Sequence, residues 1–143
     1  MSYQNFEQLE AWKQGRELRK RIYALTKQMP TDEKFNLVSQ MRRAALSVTN
    51  NIAEGHGRFH YQEFIQFLRQ ARGSLEELRD DLTLCEDEGY APRELTEGLD
   101  QQIDLTRRLV NGLIRHLQEA KATSLAREDP GDYVAAKSER DNP

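Results

Sequence analysis

The chain of 143 residues has 31% charged side chains, 8% aromatic ones and a formal net charge of −3, a mix that suits one solvated domain long enough to bury a real core. Its single cysteine excludes a disulfide framework within the chain, and the lack of any 18-residue apolar run excludes a membrane-spanning helix. The charge is uneven, with ten Lys/Arg against six Asp/Glu in residues 1–60 and eleven against eighteen in residues 61–143, which argues against strong whole-surface attraction to nucleic acid but leaves room for a basic patch on the first half.

A first helix is predicted over about residues 5–29. Ala11, Gly15, Leu18, Ile22, Leu25 and Met29 alternate spacings of four and three, a heptad seam. A second stripe, Leu9, Trp12, Arg16, Arg19 and Tyr23, lies about 120° around the same helix. It reads as the wide flank of one core or as a subunit contact, and its aromatics interleaved with arginine also suit stacking on bases. Pro30 ends this helix, and Thr31 is placed to cap a second one over about 32–54, with Asp32 and Glu33 at the positive end of its dipole. Val38, Met41, Ala45, Val48 and Ile52 form its apolar stripe. Gly55 is its expected left-handed stop, and Gly57 allows a tight turn.

The third helix, about 60–88, carries the cleanest heptad: Phe64, Leu68, Ala71, Leu75, Leu78, Leu82 and Cys85. Glu76, Glu77, Asp80 and Asp81 are expected on its solvent side. Gly73 weakens the helix, for which a close helix approach is a reason. Gly89 should close it, with Tyr90 folding back on Cys85. Pro92 fits the first position of a fourth helix over about 92–122, whose seam is Leu95, Leu99, Ile103, Thr106, Val110, Leu113 and Leu117. Four amphipathic helices with short links predict an all-α, antiparallel up-down-up-down four-helix bundle over residues 1–122, followed by a flexible C-terminal tail over 123–143.

The most specific stretch is residues 40–58, QMRRAALSVTNNIAEGHGR. Gln40, Arg43, Ser47, Asn51 and Glu54 form a polar stripe roughly 130° from the apolar one. Ser and Asn are poor interior helix residues because they compete for backbone hydrogen bonds. Their presence suggests a half-buried polar network or subunit seam; a plain solvated face is the alternative. Leu46 points away from the apolar stripe, which hints at a second contact surface.

The run Gln40-x-x-Arg43-Ala44-Ala45-x-Ser47-Val48-x-x-Asn51-Ile52-Ala53-Glu54-Gly55-x-Gly57-Arg58 resembles the bacterial "four helix bundle" family, which includes proteins encoded within intervening sequences of large-subunit ribosomal RNA genes. Phe6-x-x-Leu9-x-x-Trp12, Ile22-Tyr23 with Pro30, and Phe67-Leu68-x-x-Ala71-x-Gly73-Ser74-x-x-Glu77-Leu78 extend the resemblance over about residues 5–120. It is more distantly similar to the accessory protein of diversity-generating retroelements. The resemblance implies a four-helix protomer assembled as a ring-like homopentamer. Through the retroelement relative, which works with a reverse transcriptase, it implies nucleic acid or a nucleic-acid enzyme as partner. The pI near 5.7 and the acidic third helix depart from that relative's basic character.

Catalytic chemistry finds little support. No Glu has His three residues later, as di-iron bundles require, so no metal site is expected at His56, His60 or His116. Cys85 on the heptad seam reads as a core thiol. Gly55-x-Gly57 closes a helix where a dinucleotide fingerprint opens one after a strand, and no cofactor is expected. The start MSYQNFEQLEAWKQ lacks a signal-peptide core, so a cytoplasmic location is expected. The sequence therefore favours a non-catalytic homo-oligomeric scaffold that binds another macromolecule. A nucleic-acid-binding accessory module is the alternative. The scaffold would present Arg42, Arg43 and Arg58, the nucleic-acid module would use Arg16, Arg19, Arg42, Arg43 and Arg58, and Arg42 and Arg58, which lie off the polar stripe, are favoured for a ligand.

Overall fold

The protein is described here by a computed structural model, which places residues 5–126. The expected tail falls mostly on residues 127–143, which lie outside the described residues. Four helices make up the fold: α1 Glu10–Thr26, α2 Leu37–Gly57, α3 Tyr61–Asp87 and α4 Arg93–Ala126. Among the described residues there are no strands, and no helix is long and apolar enough to cross a membrane. Each helix packs on its chain neighbours, and α1 also packs on α4, so the four close a bundle. Paired contacts run in opposite order along neighbouring helices. Arg42 meets Thr26 where Arg19 meets Thr49, and Arg79 meets Asp104 where Arg72 meets Asn111.

The heptad seams supply the core as their spacing requires. Leu18, Ile22, Met41, Val48, Ile52, Leu68, Leu75, Leu78, Ile103 and Val110 are all fully buried. Cys85 is buried too, its thiol directed at the Met41 sulfur 3.8 Å away. Burial pushes that thiol up to about 11, with Asp81 and Glu33 adding to the shift, so it stays protonated and inert at neutral pH. Leu95 departs from its seam and is exposed. Thr96 is buried in its place and donates its hydroxyl to Glu86.

Boundaries differ from the sequence reading for local reasons. A 3-10 turn at Phe6–Gln8 precedes α1, and extended Leu9 is buried before the helix begins. A second 3-10 turn, Thr31–Glu33, occupies the expected first turn of the second helix; Thr31 makes no capping bond, and α2 begins only at Leu37. Pro92 stands just before α4 and lends its carbonyl to the Leu95 and Thr96 amides. That helix continues to Ala126, beyond the expected end at 122. Gly89 is left-handed at φ 71°, and the Tyr90 amide donates to the Cys85 carbonyl at 2.8 Å, as the sequence suggests. The Tyr90 hydroxyl donates to Glu33 Oε2 at 2.8 Å. This ties the α3–α4 connection to the α1–α2 connection.

Two glycines exchange roles. Gly73 has open space where a Cβ would stand, so no helix of the same protomer approaches it. Gly55 is buried inside α2 rather than left-handed at its end, and a Cβ there would lie 2.7 Å from Phe67 Cβ and 2.8 Å from Phe64 Cδ1. Gly55 is therefore the close-approach glycine between α2 and α3. The left-handed residue after α2 is Phe59, with φ 61° and a side chain 84% exposed. A bulky side chain pays about 1–2 kcal/mol to adopt this conformation. Phe59→Gly is expected to raise protomer stability by up to about 1 kcal/mol in urea denaturation; a loss of stability would show that the ring packs usefully within the protomer.

Candidate functional site on the second helix

The outer surface of α2 differs from that of the other helices. Residues 34–53 include Lys34, Arg42 and Arg43 and no Asp or Glu. Ser39, Ser47 and Asn50 are short, so they leave the surface low. The turn before α2 projects Phe35, 90% exposed, and Leu46 is 37% exposed further along. Together with Val38 and Asn51 these residues line an open groove of about 720 Å³. The Lys34 ammonium lies 5.4 Å from the Phe35 ring centroid. The groove thus combines an uncovered aromatic ring with a wholly positive formal charge.

The expected polar stripe divides. Ser47 Oγ accepts from Asn51 Nδ2 at 2.9 Å and from the Ser74 hydroxyl of α3 at 2.8 Å. Asn51 also donates to the Ser47 carbonyl, the local back-bonding that makes Asn costly in a helix. This half-buried network holds α2 to α3. Gln40, Arg43 and Glu54 are exposed, and Glu54 pairs with Arg58 on its own helix at 2.9 Å.

The arginines also sort differently from expectation. Arg42 donates Nε to Thr26 Oγ1 at 2.9 Å, and its guanidinium lies 4.8 Å from the Tyr23 ring centroid. Arg19 donates to Thr49 Oγ1 at 2.9 Å. These two clasp α1 to α2, so most of the second stripe of the first helix is the flank of the protomer's own core. Arg58 is exposed but lies 5.2 Å from the Phe67 ring centroid as well as on Glu54. Arg16 is exposed and 5.8 Å from the Trp12 ring centroid. Arg43 makes no hydrogen bond or ion pair among the described residues. Arg42 is thus engaged within the protomer, whereas Arg43 is exposed beside it.

Phe35 is the residue the sequence reading missed. Had α2 begun at residue 32, Phe35 would have been one more helical side chain. Because the helix starts at Leu37, Phe35 stands in a turn and points outward.

Asp81 corrects another expectation. It is only 6% exposed, and its Oδ2 has no hydrogen-bond partner among the described residues. Burial raises its pKa to about 6, with Glu77 and Asp80 adding to the shift. On the α4 side of α3 the charges are matched: Arg79 holds Asp104 below the usual carboxylate range, and Arg107 bridges Glu76 and Asp104. Among the described residues no group of three His, Cys, Asp or Glu is placed to hold a metal ion.

These features define an all-α four-helix-bundle protein with one basic, partly apolar helix face left uncovered. The sequence narrows this further. Residues 7–112 match the 23S rRNA-intervening sequence protein family, and the chain belongs to that family. A crystal structure of a protein of unknown function from the S23 ribosomal protein family of Bacteroides thetaiotaomicron VPI-5482 has the same fold. It superposes with a TM-score of 0.68 at 24% identity, covering 73% of this chain and 95% of that one. No curated protein matches the chain at a significant level.

Proposed function

We propose that this protein is a non-catalytic, self-assembling scaffold that binds another macromolecule, with a homopentameric ring as the assembly. The ring and its number follow from the family resemblance. The single observation that carries self-assembly is the outer face of α2, where Phe35 is 90% exposed beside Leu46. A monomer gains nothing from an uncovered aromatic ring beside an open groove, whereas burying it against a partner contributes about 1.5–3 kcal/mol. Light scattering at micromolar protein should give a mass of several times 16.7 kDa, and Phe35→Ala should lower it. A strict monomer rejects this reading.

A second reading is supported by the same face. Twenty residues free of acid, with Lys34 and Arg43 exposed, suit a polyanion, and a ring would multiply a modest patch through avidity. The family's name associates it with ribosomal RNA genes. Retention of single-stranded RNA that falls steeply with salt supports this reading, and no retention at low salt removes it.

A further inference from the structure

We infer that the outer face of α2 in one copy docks on the outer face of α3 in a second copy. This rests on the self-assembly proposed above and names its contact. On α3, Gly73, Glu77, Asp80, Leu84 and Asp87 recur at spacings of four and three, a stripe on the side away from the buried seam. All five are exposed. Gly73 opens onto empty space, and Leu84 is a large apolar side chain left uncovered. Glu77, Asp80 and Asp87 form no ion pair among the described residues, unlike Glu76, which is bound to Arg107. The buried carboxylate of Asp81, with one oxygen lacking a donor, borders the same stripe.

The two faces are complementary in charge, and each leaves at least one large apolar side chain exposed. One is positive over residues 34–53 with Phe35 and Leu46 exposed. The other is negative, with Leu84 exposed and a bare glycine where a neighbouring helix can approach. Gly73 costs α3 helical propensity without any contact inside the protomer to justify it, and an incoming helix supplies the reason. Neither face suits a copy of itself, because like charges would oppose each other. The contact is therefore heterologous, and each protomer offers one face of each kind. Since α2 and α3 are neighbours in the bundle, their outer faces point in different directions, so successive copies turn, and such a contact builds a ring where the rotation closes.

The test is charge reversal of each face in the full chain, followed by light scattering and sedimentation. Lys34→Glu with Arg43→Glu reverses one face, and Glu77→Lys with Asp80→Lys reverses the other. All four positions are exposed, so helical content and thermal midpoint should stay near those of the parent protein. Each variant alone should dissociate at about tenfold or more higher concentration, and a chain carrying all four changes should assemble again because the swapped charges then meet at every contact. A parent protein that is itself monomeric overturns both this contact and the scaffold reading. A parent that assembles while both variants still assemble, or a chain with all four changes that fails to recover, overturns the contact alone. Loss of single-stranded RNA retention in Lys34→Glu/Arg43→Glu with assembly intact also overturns it, and assigns the face to nucleic acid.

Discussion

Gly55→Ala is expected to destabilise the protein by about 2 kcal/mol, lowering the thermal midpoint by roughly 8 °C. Two effects oppose each other. Alanine favours a helix over glycine by about 1 kcal/mol. The new methyl would stand 2.7 Å from Phe67 Cβ and 2.8 Å from Phe64 Cδ1, well inside contact distance. Phe67 Cβ is fixed to its backbone and cannot swing aside, so α2 and α3 must separate along a core where Phe64, Leu68 and Ile52 are fully packed. Overpacking of this kind costs about 1–3 kcal/mol or more and outweighs the propensity gain. Gly57→Ala is the control: nothing lies within 4 Å of a Cβ there, so it should leave stability unchanged or raise it slightly. Equal behaviour of the two variants in thermal melts would show that the close approach is not tight.

Asp81→Asn should stabilise the protein by about 1–2 kcal/mol at pH 8, and the gain should vanish below about pH 4. Asp81 has a folded pKa of about 6 against an ordinary 3.8, chiefly because burial disfavours its charge. A raised carboxylate pKa means the folded state holds the proton more tightly than the unfolded one. Ionised Asp81 therefore destabilises the fold, fully so above about pH 6, and the cost is relieved as pH falls through 6 towards 4. The amide keeps the shape and removes the charge. Urea midpoints for parent and variant should converge on acidification; a difference that is constant with pH would mean that folding leaves the pKa of the carboxylate unchanged.

The heptads made the bundle legible, since a four-three repeat of Phe64, Leu68, Ala71, Leu75 and Leu78 leaves one arrangement that buries them all. The Schellman closure at Gly89 and Tyr90 was legible for the same reason, being set by residues adjacent in sequence. What escaped depended on neighbouring helices. A glycine near a helix end reads as a stop, and only the approach of Phe64 and Phe67 shows that Gly55 is a contact instead. Arg42 and Arg43 both lie off the apolar stripe of α2, and sequence alone does not reveal that α1 offers Thr26 and Tyr23 to one and nothing to the other. Asp81 looked like part of a solvated acidic run because its chain neighbours Glu77 and Asp80 are exposed. The proposed scaffold and docking face lie a step further out, since they concern surfaces that one copy leaves bare.

The bond from Tyr90 to Glu33 links residues 57 apart in the chain, across the end of the bundle where both connections lie. Closing so long a span is entropically costly until the intervening helices have ordered. Within that span α2 and α3 are joined by only three residues, Arg58 to His60. Their pairing needs little loop closure, so they suit the role of an early helical hairpin. The tyrosine latch can form only after that hairpin brings the two ends together. It then couples their fraying, because the first turn of α4 cannot lift away without also loosening the turn that carries Phe35.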